Sequence, residues 1–339
     1  MVILYYIILG IVQGIAEILP ISSSGHLALT QILIFNTTSF TQFAADSKEM
    51  MVFNIFTHFA SLLALIIFFH KLIWKMLKGT WFVIFNTPTG RTMRKELKEL
   101  RDASLFDLAL AKEETNSSTK ITELDQEIIK TKLDYKNARK AAHKDATKEY
   151  YDGFMLTVYM IVASIPVGIV GVLFDDQISK IFGTLLVVGI GFILTGLILL
   201  FVSLFTKKSA SDKYTWKNTM ITGAFQMFGI LPGISRSGIT MSGAKIAGLS
   251  DNKAKEFAFV LFMPAAVGSF LLSLGDFRLI AELGNLDIIG FTLGFGFAFA
   301  VTLVMLLVIF KKINLSHYKY FTIYLFVVGL FTIIYSIVS

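Results

Sequence analysis

Cysteine is absent from the 339 residues. That excludes disulfides, Fe–S clusters, thiolate zinc sites and a cysteine nucleophile. Charge is scarce as well: Asp, Glu, Lys and Arg make up 16% of the chain, against about 25% in a typical soluble domain. The first basic residue is Lys48, so residues 1–20 lack the basic n-region of a cleavable signal peptide. Neither a Walker A loop nor an HExxH pair occurs. Apolar residues fill the space instead, at 55% with a mean hydropathy of +0.68. A soluble globule could not cover that much apolar surface, so the chain reads as an all-α polytopic membrane protein.

The net charge of +7 does not point to nucleic acid. Between Pro88 and Asp152 lie 14 of the 31 basic and 13 of the 24 acidic residues, close to balance. The other basic residues cluster in short loops between apolar runs: Lys71, Lys75 and Lys78; Lys207, Lys208, Lys213 and Lys217; Lys311, Lys312 and Lys319. This is the loop bias of the positive-inside rule.

A spanning helix needs roughly 20 apolar residues. Six runs qualify: Val52–His70, Phe154–Phe174, Ile181–Phe205, Phe257–Gly275, Ile288–Phe310 and Tyr320–Val338. With the basic loops 71–79, 207–217 and 311–319 on the cytoplasmic side, one orientation satisfies all six. Loops 175–180 and 276–287 are then external and carry Asp175, Asp176, Asp276 and Glu282.

Two further apolar stretches, 1–40 and 218–250, begin and end on one side and are interrupted by Pro, Gly and Ser. Each is expected to be re-entrant, because broken backbone at membrane depth survives only inside protein or along a cavity. The stretches resemble each other. In both, a glutamine (Gln13, Gln226) precedes a Ser-X-Ser-Gly (Ser22–Gly25, Ser235–Gly238) by the same spacing, with Ile-Leu-Pro between. One enters from outside and the other from inside, as in an inverted repeat that places a site near the midplane. The expected domains are therefore 1–87 with the first re-entrant repeat, a charged insertion at 88–152, and 153–339 with the second repeat at 218–250. Within the insertion, Ile121, Leu124, Ile128, Thr131, Tyr135, Ala138 and Ala142 recur at helical spacing, as do Leu97 and Leu100. Thr115–Thr119 reads as a turn, so the segment is expected to be a cytoplasmic helical hairpin. The sequon at Asn116 carries no meaning on that side.

Glu17 is the only acidic residue before Asp46. A carboxylate in an apolar re-entrant segment is costly and is a functional candidate by default. Gln13 shares its helical face. Pro20 ends the first helix and Ser22 is suited to cap the next, with His26 one turn on and the Ser23 and Ser24 hydroxyls beside it. In the second repeat Pro232-Gly233 ends a helix, Ser235 caps the next, and Arg236 and Thr240 share a face. Arg236 is the only arginine between Arg139 and Arg278. Helix N-termini attract anions, and a guanidinium grips phosphate bidentately. The set suits a phosphate ester or diphosphate. His58, His70, His143 and His317 read as interface or surface residues. The lipid phosphatases of the PAP2 type are discounted, since they need a histidine where this chain has Ser242.

At these residues the chain resembles the undecaprenyl-diphosphate phosphatase family, also called BacA or bacitracin-resistance proteins. The family's (E/Q)-x-x-x-E segment corresponds to Gln13 and Glu17. Its L-P-x-S-S-x-G-H corresponds to Leu19–His26, and its P-G-x-S-R-S-x-x-T to Pro232–Thr240. Ile165–Gly168, Gly171, Ala254, Glu256, Phe257, Phe259 and Pro264 are similar as well. The insertion 88–152 departs from the family's usual short loop.

The resemblance implies hydrolysis of undecaprenyl diphosphate to the monophosphate, with a divalent cation, at the outer face of the plasma membrane. This recycles the carrier of cell-wall polymers and confers bacitracin resistance. The expected catalytic residues are Glu17, Ser22, Ser23, His26 and Arg236. Ser23 or Ser22 is the nucleophile, unless water attacks directly, and His26 is the general base or acid. Ser24, Gly25, Gly233, Ser235, Ser237 and Thr240 are expected to bind substrate, and Gln13 and Glu17 to hold Mg²⁺ or Ca²⁺. The alternative is a transporter that moves polyprenyl phosphate through the same site. The expected partners are the polyprenyl diphosphate and membrane lipids, without nucleic acid. A homodimer and a cytoplasmic protein docking on 88–152 stay open.

Overall fold

The computed structural model describes residues 1–38, 48–85, 90–115, 117–174, 184–205, 210–272, 274, 284–314 and 317–338. Acidic Asp175, Asp176, Asp276 and Glu282, basic Lys207 and Lys208, and Asn116 lie outside them, as do the side chains of Leu97, Ala142 and His143. Among the described residues the regular elements are helices, and six of these are long and apolar enough to cross a membrane: Met50–Phe68, Lys148–Leu173, Leu185–Phe205, Asp251–Leu272, Asn285–Lys312 and Tyr318–Val338. These match the six runs in the sequence and make the protein a multi-pass membrane protein.

Two compact units divide the chain: Met1–His70 with Val158–Ser339, and Lys71–Thr157. The first unit opens with α1 (Val2–Ile18), α2 (Ser23–Thr38) and α3 (Lys48–Phe68). It continues beyond the insertion with α7 (Leu185–Phe205), α8 (Trp216–Phe228), α9 (Arg236–Ile246), α10 (Asp251–Leu272), α11 (Asn285–Lys312) and α12 (Tyr318–Val338). Helices α1 and α2 are separated by a break at 19–22, and α8 and α9 by one at 229–235. These breaks fall where Pro20 and Pro232-Gly233 forbid regular helix.

Small residues set the helix spacing, as expected where apolar surroundings leave packing as the driving force. A methyl group on Gly10 of α1 would meet the Gly294 carbonyl oxygen of α11 at 2.2 Å. On α7, a methyl on Gly191 would meet the Pro232 oxygen at 2.5 Å. Ser61 of α3 and Thr302 of α11 share a hydrogen bond at 3.0 Å. Buried Lys255 of α10 donates to the Ile309 and Ile313 oxygens at 3.1 and 2.9 Å. It thereby places a cation at the negative C-terminal end of α11.

The second unit contains most of α4 (His70–Phe85), α5 (Gly90–Glu113) and the start of α6 (Ser118–Leu173). The sequence suggested a loop at 71–79, but this stretch is helix. Lys71, Lys75 and Lys78 are spaced along one helical face, and Gly79 lets α4 approach Tyr150 and Gly153 of α6. Helices α5 and α6 run antiparallel, with the Arg101 guanidinium 4.7 Å above the Tyr135 ring and Lys112 paired with Asp125 at 2.5 Å. The half-buried stripe on α6 is the expected Ile121, Leu124, Ile128, Thr131 and Tyr135, but Ala138 is exposed. On α5 the stripe is Arg101, Leu105, Leu108 and Lys112, and Leu100 faces out. Helix α6 runs without a break from the charged segment into the span.

Candidate active site

Every candidate site residue lies in the first unit. The chain leaves α1 in an extended conformation at Leu19, with φ −76° and ψ 150°. It then turns through Ser22, whose φ of 73° is left-handed and is the only positive value for a non-glycine residue among those described. Such a serine costs free energy and persists only where its surroundings fix it. Three hydrogen bonds do so. The Gly25 amide donates to Ser22 Oγ at 3.3 Å, and the Ser22 carbonyl accepts from the His26 amide at 3.2 Å and from His26 Nδ1 at 2.8 Å. Ser22 thus caps α2 and is buried.

The second break has the same local bonding. Ser235 caps α9, its Oγ accepting from the Gly238 amide at 3.1 Å. Ser235 and Ser237 hydroxyls lie 3.3 Å apart, as Ser22 and Ser24 hydroxyls lie 3.4 Å apart. Ser235 N donates to Thr195 Oγ1 at 3.0 Å. Gly233 has φ +79°, and a methyl group there would lie 2.2 Å from the Val188 oxygen.

The two breaks touch. Ser237 Oγ donates to the Leu19 carbonyl at 3.1 Å. A methyl group on Gly25 would meet Gly233 Cα at 3.2 Å, and one on Gly238 would meet Pro20 Cβ at 3.1 Å. Counted from Gln13 and Gln226, Gly25 and Gly238 are equivalent positions, and so are Pro20 and Gly233. Each motif's glycine therefore abuts the other's turn, and two helix N-termini are drawn together.

Glu17 stands at this junction and is buried. Its Oε2 accepts from Ser23 Oγ at 2.6 Å and from Gln13 Nε2 at 2.9 Å. The carboxylate can only accept, so the Gln13 amide nitrogen faces it. Gln13 Oε1 is left buried with no hydrogen-bond partner, as are Thr240 Oγ1, Gln226 Oε1 and Ser242 Oγ. Arg236, the first residue of α9, stacks its guanidinium 4.6 Å above the Phe262 ring. A small cavity has Glu17, Arg236 and Ser237 in its lining, walled by Leu65, Phe259 and Phe262. Glu17, which accepts from the Ser23 hydroxyl, and the Arg236 guanidinium thus line one space beside two helix N-termini, an arrangement that can bind an anionic group and activate a nucleophile.

His26 is engaged on another side. Its Nδ1 donates to the Ser22 carbonyl, so the neutral ring accepts at Nε2 from the Tyr324 hydroxyl at 2.7 Å. The ring lies parallel to Tyr324 at 5.6 Å and edge-on to Phe192 at 4.9 Å.

His58, which the sequence reading set aside, joins Glu17 instead. His58 Nε2 is 3.4 Å from Glu17 Oε2. Sequence spacing cannot pair α3 with α1. The available signal was that an intramembrane histidine invites the same suspicion as an intramembrane glutamate. His70 and His317 make local backbone contacts at helix ends, and the His317 ring lies 6.2 Å from that of Tyr320.

Among the described residues, no three His, Asp or Glu side chains are grouped to hold a metal ion unaided. Glu17 and the unpartnered Gln13 Oε1 nevertheless offer two oxygen ligands. That number fits a cation such as Mg²⁺, which takes one or two protein ligands and completes its shell with water and substrate phosphate.

Comparison with known proteins agrees with the motifs. The family described as bacitracin resistance protein BacA matches residues 6–106 and 124–331. The unmatched residues 107–123 take in the end of α5 and the start of α6. An undecaprenyl-diphosphatase of Acholeplasma laidlawii is 29% identical over 97% of this chain and 95% of its own length. Proteins of the same name from Oceanobacillus iheyensis and Christiangramia forsetii are each 28% identical. They align over 98% and 97% of this chain and 96% and 97% of their own lengths. The chain belongs to the BacA family of bacitracin resistance proteins.

Proposed function

We propose that this protein is an integral-membrane phosphatase that hydrolyses undecaprenyl diphosphate to undecaprenyl phosphate and inorganic phosphate. It thereby recycles the lipid carrier of cell-wall polymers and confers bacitracin resistance. The observation that carries the reading is the 2.6 Å hydrogen bond from Ser23 to Glu17, a carboxylate that lines one cavity with Arg236. A protein that only carried a phosphate head group would need the guanidinium and the helix N-termini. It would have no use for a hydroxyl paired with a carboxylate.

In this reading the diphosphate enters the junction of the two breaks and the polyprenyl tail lies among the spans. Arg236 and the N-termini of α2 and α9 neutralise the developing charge, which is the main catalytic demand of phosphoryl transfer. Glu17 takes the Ser23 proton as Ser23 Oγ attacks the terminal phosphorus. The bond to the bridging oxygen breaks and undecaprenyl phosphate leaves. Water then cleaves the seryl phosphate, releasing inorganic phosphate and restoring Ser23.

Ser22 is a cap that holds the turn. Ser24, Gly25, Gly233, Ser235, Ser237 and Thr240 shape and line the phosphate site. His26 orders the turn through the Ser22 carbonyl. A divalent cation, held by Glu17 and Gln13 Oε1, would supply charge neutralisation at the diphosphate.

The inverted repeat belongs to the same proposal. The matching hydroxyl pairs, the matching caps and the reciprocal glycine contacts support a two-fold relation between 1–40 and 218–250 as re-entrant pairs. The loop charges support a mouth facing outside and a cytoplasmic insertion. The test is phosphate release from undecaprenyl diphosphate by detergent-purified protein, with and without EDTA. Release that EDTA suppresses supports the reading, and no release from folded protein overturns it.

A further inference from the structure

We infer that His58 is a positioning residue of the active site, one that fixes the Glu17 carboxylate against Ser23. The inference rests on the hydrolase reading above and deepens it. Glu17 is reached from three sides: by Gln13 from its own helix, by Ser23 across the first break, and by His58 from α3. Only the last ties the carboxylate to a separate spanning helix.

The ring orientation follows from elementary hydrogen bonding. His58 Nδ1 lies 2.7 Å from the Asn54 carbonyl, which can only accept, so Nδ1 carries its hydrogen and donates. Nε2 is therefore the nitrogen left to face Glu17 Oε2, at 3.4 Å, and since a carboxylate only accepts, it pairs with Glu17 as the second N–H of an imidazolium. Asn54 is itself tethered, because its Oδ1 accepts from Gln31 Nε2 of α2 at 2.8 Å. The chain of contacts runs from α2 through Gln31 and Asn54 to His58, then to Glu17 on α1, and back to Ser23 at the start of α2. A nucleophile, a base and a group that orients the base are thus linked in series, which is the logic of hydrolytic triads. Groups that orient a reactive side chain through a hydrogen bond typically matter by about 10- to 100-fold.

The experiment compares purified wild-type protein with His58→Gln and His58→Met in undecaprenyl diphosphate hydrolysis, each at saturating cation. Both replacements approximate the size of the imidazole, but only glutamine offers an N–H to Glu17. The expected result is a kcat about 10- to 100-fold lower for His58→Met, with KM changed much less, and recovery of most of that kcat in His58→Gln. Equal activity of the two variants would overturn the role. So would a His58→Met loss confined to KM. An active wild type beside an unimpaired His58→Met overturns this role alone, whereas an inactive, folded wild type overturns the hydrolase reading and this role with it.

Discussion

Ser23 and Glu17 are joined by a 2.6 Å hydrogen bond that closes the break between α1 and α2. The donor is the first residue of one helix and the acceptor lies in the last turn of the other. A buried carboxylate in apolar surroundings needs partners, and the hydroxyl needs a base to become a nucleophile. One contact answers both needs. It also explains why the two adjacent serines differ: Ser22 is a buried cap, while the Ser23 hydroxyl is turned toward Glu17.

Replacing Ser23 with alanine removes the reacting oxygen but no capping bond. Hydrolysis should fall by at least about 100-fold, with the helix content and melting behaviour of the wild type retained. Circular dichroism beside a phosphate-release assay checks both halves. Wild-type turnover in Ser23→Ala would transfer the attack to water.

Arg236→Lys keeps the charge and loses the planar fork. The loss of one charge-assisted hydrogen bond is worth about 1.5–3 kcal/mol, so kcat/KM should drop by roughly 10- to 100-fold. Steady-state kinetics with the lipid substrate measure it. An unchanged value would mean that only the charge is used.

Gly233→Ala tests the geometry of the second break. The left-handed φ costs a non-glycine residue about 1–2 kcal/mol, and the new methyl would overlap the Val188 oxygen at 2.2 Å. The variant should melt several degrees lower or fail to stay monodisperse in detergent, and it should lose activity. Gly268→Ala is the control, since nothing lies within 4 Å of a methyl placed there.

Much of this was legible because the bilayer imposes simple rules. Run length and loop charge located all six spans. Pro20 and Pro232 marked the breaks, and serine preference for helix N-caps located Ser22 and Ser235. The repeated Gln…Ser-X-Ser-Gly pattern brought Gln13, Glu17 and Arg236 into one hypothesis. Contacts between distant helices were not legible. Neither His58 beside Glu17 nor Tyr324 on His26 follows from a spacing, because each partner comes from a span chosen by tertiary packing. The left-handed Ser22 was hidden too, since serine carries no signal for positive φ. The 71–79 segment was misread because its lysines were counted as loop charge, although their 3–4 spacing is that of a helical face.

The charged hairpin offers a separate prediction. Every site residue lies outside Lys71–Thr157, and α5 and α6 meet at Arg101 with Tyr135 and at Lys112 with Asp125. Shortening the hairpin by matched deletions at the end of α5 and the start of α6 should leave phosphate release within about threefold of wild type, the range of ordinary context effects. Loss of activity in a folded, shortened protein would instead assign the insertion a part in the reaction or in binding a required partner.

The central claim is that Glu17 takes a proton from Ser23 during hydrolysis, and Glu17→Gln addresses it most directly. Glutamine preserves the volume and can still accept the Ser23 hydrogen bond, but it cannot take the proton. Phosphate release from undecaprenyl diphosphate should fall by about 10²- to 10⁴-fold in a variant that elutes and melts like the wild type. A Glu17→Gln protein that hydrolyses the diphosphate at the wild-type rate would contradict the account.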